Sequence, residues 1–167
     1  LTYYQKIAAI DPNYTWLNYY FATAYYDMDD FVKAASYYHK QHELTPNDFN
    51  TNYFLANSYY SLEEYEQAAP YFERAAEIDP DYVEVWYYLG NNAYSLSDFH
   101  TAEEYFRKSI ELDSTFADAW FYLANSFLSL YEYSDAVTYF KKALELDPDN
   151  ADGWYYLGNA YYNIPDY

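Results

Sequence analysis

His39, His42 and Glu43 stand within five residues of one another, a spacing that puts imidazoles and a carboxylate on neighbouring positions of one helix. Such a cluster could ligate a transition metal if it converged on one point and had outer partners to orient it. Neither a third convergent ligand nor such partners are visible in the sequence, so no metal site is assigned. Asp147, Asp149 and Asp152, followed by Gly153, resemble part of a calcium loop, but the spacing is wrong and no Glu stands at its twelfth position. Asp149 and Asn150 are read instead as caps of a following helix. No Ser-His-Asp order and no paired catalytic carboxylates stand out, and Cys is absent. The chain is therefore read as carrying no catalytic residue and no cofactor.

The polar side chain with the most regular spacing is an amide. Thr23, Asn57, Asn91, Asn125 and Asn159 recur every 34 residues. A carboxamide offers both a donor and an acceptor, as a peptide group does. A column of them could hold an extended backbone without reading its sequence, or could simply be solvated in an open groove.

That column belongs to an array running the whole length of the 167 residues. The segments "TWLNYYFATAYYDMDDF", "FNTNYFLANSYYSLEEY", "VEVWYYLGNNAYSLSDF", "FADAWFYLANSFLSLYEY" and "ADGWYYLGNAYYNIPDY" align without gaps, separated by "KAASYYHKQHELTP", "QAAPYFERAAEIDP", "TAEEYFRKSIELDS" and "DAVTYFKKALELDP". Within each unit, apolar residues at offsets of three, four and seven define two amphipathic helices. Trp86, Leu89, Gly90 and Ala93 form the core stripe of one first helix, and Ala102, Phe106 and Ile110 that of a second. Asp-Pro pairs close the second helices, because the residue before Pro avoids helical geometry. Pro70 inside a second helix should cost one backbone bond and bend that helix slightly.

The stretches Trp86-Tyr87-Tyr88-Leu89-Gly90, Trp120-Phe121-Tyr122-Leu123-Ala124 and Trp154-Tyr155-Tyr156-Leu157-Gly158, with small columns at Ala22/Ala56/Gly90/Ala124/Gly158 and Ala34/Ala68/Ala102/Ala136, resemble the tetratricopeptide repeat. The resemblance covers the whole chain. It implies an all-α fold, an α-solenoid of stacked antiparallel helix pairs forming a right-handed superhelix. The expected organisation is one solenoid: a second helix over 1–14, full repeats over 15–48, 49–82, 83–116 and 117–150, and a first helix over 151–167. Asn18 and Asn52 depart from the pattern by replacing Trp, Gln41 by standing in a column otherwise small or aliphatic, and Ser114 by replacing Pro.

The resemblance also implies a binding groove on the first helices. The residues that would line it here are Tyr19, Tyr53, Asn57, Tyr60, Tyr87, Asn91, Tyr94, Asn125, Tyr155, Asn159 and Tyr162. A second aromatic column, Tyr20, Phe54, Tyr88, Tyr122 and Tyr156, either packs on the preceding pair or forms an adhesive strip. No first helix carries Lys or Arg, so capture of a carboxylate by basic residues is not expected. Asp27, Glu84, Asp118 and Asp152 border the groove instead, favouring a basic, polar or Pro-rich segment.

The formal charge of −19, from 27 acids and 8 bases, repels nucleic acid and anionic membranes. No membrane-spanning stretch or targeting segment is visible, and no compartment is assigned. The expected partner is a protein or peptide segment, bound without catalysis. The sequence opens inside a second helix and closes after a first, so its two ends are also suited to head-to-tail stacking. Tyr4, Ile7 and Ala8 would lie on one side, and Trp154, Leu157, Gly158, Tyr161 and Tyr167 on the other. Another copy of the chain, assembled into a filament, is the alternative partner; a window cut from a longer array would show the same pattern.

Overall fold

Each repeat turns from its first helix to its second through the same backbone device. Asp29, Glu63, Ser97 and Tyr131 have φ between 56° and 64°. Each donates its amide to the carbonyl three residues back. The next residue donates to the carbonyl five back, as in Asp30 N to Tyr25 O and Glu132 N to Phe127 O, both 2.9 Å. This is a Schellman closure, which satisfies the last carbonyls of the first helix. The residue after the left-handed position is also the N-cap of the second helix, so the two helices fold back antiparallel with almost no loop. Asp30 and Asp98 accept from the amides of Lys33 and Thr101 (both 3.2 Å), satisfying donors that the helix start leaves free.

A computed structural model describes residues 1–164 of the chain. Among these residues all regular structure is helical, in two compact units, 1–80 and 81–167. The first unit holds α1 (Thr2–Ile10), α2 (Leu17–Tyr26), α3 (Phe31–Leu44), α4 (Phe49–Ser61) and α5 (Tyr65–Ile78). The second holds α6 (Val83–Ser95), α7 (Phe99–Leu112), α8 (Ala117–Ser129), α9 (Tyr133–Leu146) and α10 (Ala151–Asn163). Within each unit every helix packs on its sequence neighbours, which is the layering of an α-solenoid. α5 runs unbroken through Pro70.

The cores follow the columns. In the first unit Ala22, Ala34, Tyr38 and Leu55 are fully buried. In the second, Phe106, Leu123, Ala124, Ala136 and Phe140 are. Small residues let the helices approach. A Cβ on Gly90 would lie 2.5 Å from the Phe106 ring, which occupies that space. The second aromatic column packs on the preceding pair: Phe54 stacks on Tyr38 (5.9 Å), Tyr122 on Phe106 (5.9 Å) and Tyr156 on Phe140 (6.1 Å). The tryptophans are less internal than their place in the core stripe implies. Trp120 is half-buried, stacks on Tyr139 and donates its Nε1–H to the carbonyl of Ser114 at 3.0 Å. Its polar edge holds it at the margin of the pair.

Candidate functional site

The first-helix aromatic column expected to line a groove is anchored on the second helices. Tyr19 meets Tyr38 (5.6 Å), Tyr53 meets Phe72 (6.4 Å), Tyr87 meets Phe106 (6.2 Å) and Phe121 meets Phe140 (5.8 Å). These first-helix rings are half-buried on the second helix of their own repeat. Burial, foremost, pushes the phenols of Tyr19 and Tyr87 above their ordinary range. Tyr60 and Tyr94 are also half-buried, and the Tyr94 hydroxyl lies 3.1 Å from Ser129 Oγ on the following first helix. Tyr155 and Tyr162 are 64% and 89% exposed.

The amide column is more internal than either sequence reading supposes. Asn57, Asn91 and Asn125 are 6–7% exposed. Asn57 donates Nδ2 to the Tyr53 carbonyl (2.9 Å) and Asn125 to that of Phe121 (3.0 Å), each one turn back. Asn91 Oδ1 is buried without a hydrogen-bond partner. Asn159 is half-buried, and its carbonyl accepts from Asn163. The same position in the first repeat is Thr23, which bonds to the Tyr19 carbonyl and to the buried Tyr38 hydroxyl, both at 3.0 Å.

An acidic column flanks the second unit's tyrosines. Glu84, Asp118 and Asp152 are exposed in the first turns of α6, α8 and α10. Asp118 adds its charge to burial in raising the phenols of both Tyr87 and Tyr88. The bases keep to second helices, where Lys108 pairs with Glu111 (2.9 Å) and Lys142 with Glu145 (3.0 Å).

His39 lies 3.7 Å from Glu43, while His42 packs edge-on against Tyr71 with Nδ1 buried and unpartnered. Asn150 caps α10 by accepting from the Gly153 amide at 2.7 Å. Asp149 does not share this task; its amide donates to Asp147.

The residues assigned to the stacking faces fall on α1 and α10. Tyr4, Ile7 and Ala8 are half-buried, and Tyr4 stacks on Tyr20 at 5.3 Å. On α10, Leu157 is buried, while Trp154 and Tyr161 are 56% and 47% exposed. Gly158 has nothing within 4 Å of where a Cβ would be. Tyr167 lies outside the described residues. Lys141, Leu144, Glu145, Trp154, Leu157 and Tyr161 line an open cleft of about 450 Å³ between α9 and α10, a feature the sequence did not single out.

The tetratricopeptide repeat profile matches residues 19–83, 53–115 and 87–130, and a second TPR repeat profile matches 124–164. The chain belongs to the tetratricopeptide repeat family. Solved TPR structures show the same fold. MamA aligns with a TM-score of 0.82 at 25% identity, over 89% of this chain and 87% of that one. A MamA fragment from Desulfovibrio magneticus RS-1 aligns at 0.84 and 21%, over 90% and 85%. YrrB, described as a TPR protein with an unusual peptide-binding site, aligns at 0.81 and 23%, over 95% and 82%. Among curated proteins none matches this sequence. Among the described residues no TPR helix is long and apolar enough to cross a membrane.

Proposed function

We propose that this TPR chain is a non-enzymatic interaction scaffold whose first-helix face binds an extended segment rich in Lys and Arg. The observation that carries this reading is the exposed column Glu84, Asp118 and Asp152 beside half-buried tyrosines, on helices that lack any basic residue. A cation entering there meets a carboxylate and the face of an aromatic ring together, two attractions that reinforce each other. Tyr87, Tyr94 and Tyr155 supply contact area at low conformational cost. With its nitrogen spent on the helix backbone, Asn125 would contribute an Oδ1 acceptor to a bound peptide.

Calorimetric titration with an extended Lys/Arg-containing peptide and with its Glu-containing counterpart tests the reading. The basic peptide should bind, more weakly as salt rises, and Asp118→Lys should weaken it by about tenfold or more. Equal binding of the two peptides would reject the acidic groove.

A further inference from the structure

Each acidic residue of the first-helix face in the second unit has an aromatic residue at a fixed offset. Glu84 stands three residues before Tyr87, Asp118 three before Phe121 and Asp152 three before Tyr155. Residues three apart are neighbours on a helix surface, so each of these helices sets a carboxylate beside an aromatic ring. Glu84 and Asp118 are exposed, while the half-buried rings of Tyr87 and Phe121 are fixed by contact with Phe106 (6.2 Å) and Phe140 (5.8 Å). The first unit lacks this pairing, because its residues at the acidic position are Trp16 and Asn50.

Helix packing sets the interval between the pairs. α6 and α8 run in the same direction, since α7 folds back between them, and they touch directly. Tyr87 meets Tyr122 at 5.8 Å, and the Tyr94 hydroxyl lies 3.1 Å from Ser129 Oγ. Phe121 of α8 meets Tyr156 of α10 at 6.0 Å in the same way. Helices in such contact lie about 8–10 Å apart, so equivalent residues on them recur at that interval. A segment crossing these helices meets one carboxylate and one ring per step.

The interval selects among extended conformations. A β-strand returns to the same face every second residue, and at about 3.3 Å per residue its same-face side chains lie about 7 or about 13 Å apart. Neither matches. A polyproline II segment has three residues per turn and rises about 3.1 Å per residue. Every third side chain therefore points the same way, about 9 Å further along. Such a segment is ordered before it binds, and Pro-rich segments dock well in aromatic-lined grooves.

We infer that the face of α6, α8 and α10 is a register for a polyproline II segment that carries Lys or Arg at every third position with prolines between. The inference rests on the basic-segment reading of this face and names the conformation and spacing of the partner. One base lies against Glu84 and Tyr87, the next against Asp118 and Phe121, and the third against Asp152 and Tyr155. The prolines hold the segment in its threefold form.

The test is calorimetric titration of the 167-residue chain at low salt with two Pro-rich peptides of identical composition. One carries three arginines spaced three residues apart, and the other carries them two apart. The first should bind about tenfold tighter or more. Replacing its prolines by glycine, with the arginines kept in place, should weaken it by loosening the free peptide. Asp118→Lys, with circular dichroism confirming its helix content, fixes the register. That variant should prefer a peptide whose central arginine is Glu over one whose first arginine is Glu. Equal binding of the two arginine spacings, or tighter binding of the two-apart peptide, would leave the basic-segment reading standing and overturn the register. So would an undiminished glycine peptide, or an Asp118→Lys variant that does not distinguish the two Glu positions. Binding of neither arginine peptide would sink the basic-segment reading and the register together.

Discussion

Thr23 Oγ1 lies 3.0 Å from the hydroxyl of Tyr38, and Tyr38 is fully buried. In the later repeats the Tyr38 position is Phe and the Thr23 position is Asn. The two columns change together because a buried phenol needs a partner, and a hydroxyl bound one turn back can still supply one.

Tyr38→Phe should therefore cost only about 1 kcal/mol, since Thr23 keeps its bond to the Tyr19 carbonyl. Burial, against the opposing hydrogen bond to Thr23, holds the Tyr38 phenol above its usual range, and Asp27 adds its negative charge to that effect. Its folded-state pKa is raised, so its contribution is intact below about pH 10 and is lost as pH rises and the unfolded chain ionises. Urea midpoints of wild type and variant should differ at pH 8 and converge or cross above pH 10. A gap that stays constant with pH would refute the assignment.

Asn52 keeps a bond that the tryptophans make. It donates Nδ2 to the Pro46 carbonyl at 3.0 Å, six residues back, as Trp120 donates to Ser114 and Trp154 to Pro148 at 2.9 Å. Gln41, also fully buried, is larger than Ala75, Ser109 and Ala143, which follow it in its column. Asn52→Ala should cost about 1 kcal/mol by removing its bonds to the Pro46 and Asp48 carbonyls. Asn52→Trp should destabilise by overpacking, and adding Gln41→Ala should recover much of that loss. Denaturation of the four-member cycle measures the coupling, and strict additivity would show that the two sites do not share volume.

Acid should weaken the same region. Burial, then the neighbouring His39, holds the His42 imidazole below its usual value; Arg74 on α5 acts in the same direction, while Asn52 on α4 and Glu43 on α3 oppose it. Its folded-state pKa is depressed, so the unfolded chain binds the proton first as pH falls through about 6.5, and stability declines from there. His42→Phe should flatten that limb of a pH–stability profile. An unchanged slope would assign it to carboxylates.

The left-handed turn positions carry avoidable strain. Asp29, Glu63, Ser97 and Tyr131 sit at φ where a Cβ is disfavoured and glycine is at ease. Tyr131→Gly should stabilise the fold by up to about 1 kcal/mol, less the entropy it adds to the unfolded chain, and so raise the thermal midpoint. A fall in the midpoint would show that the Tyr131–Tyr133 ring contact (6.3 Å) outweighs the strain.

Gly90 and Gly158 share a column and should respond oppositely to Ala. Gly90→Ala forces the Phe106 ring aside and should cost about 1–3 kcal/mol. Gly158→Ala meets nothing and should gain about 1 kcal/mol of helix propensity in the isolated chain. Chemical denaturation at low protein concentration separates the two, and equal effects would contradict the packing difference.

The helix pairs were legible because a 34-residue period repeats Ala22, Ala56, Gly90 and Ala124 beside aromatic rings. Periodicity shows which face of a helix is apolar. It does not show where a polar group on that face sends its hydrogen bonds. Asn57 and Asn125 looked available from their spacing, yet the adjacent helix buries them and turns their nitrogens onto their own backbone. Trp120 looked central because it is apolar and in register, but its indole N–H needs a carbonyl, and that lies at the margin.

By itself, then, the sequence determined that this chain folds into antiparallel helix pairs of the TPR kind, since local periodicity, small-residue columns and turn residues all agree. It also determined the acidic charge and the aromatic content of the faces. Only the tertiary structure decided which of those rings are spent on packing and which are open. Phe140 and Trp154 are both large aromatic residues in register with the repeats, but one is fully buried and the other is 56% exposed. Burial is set by what packs from a neighbouring helix, and that is a property of the assembled pairs rather than of any one segment.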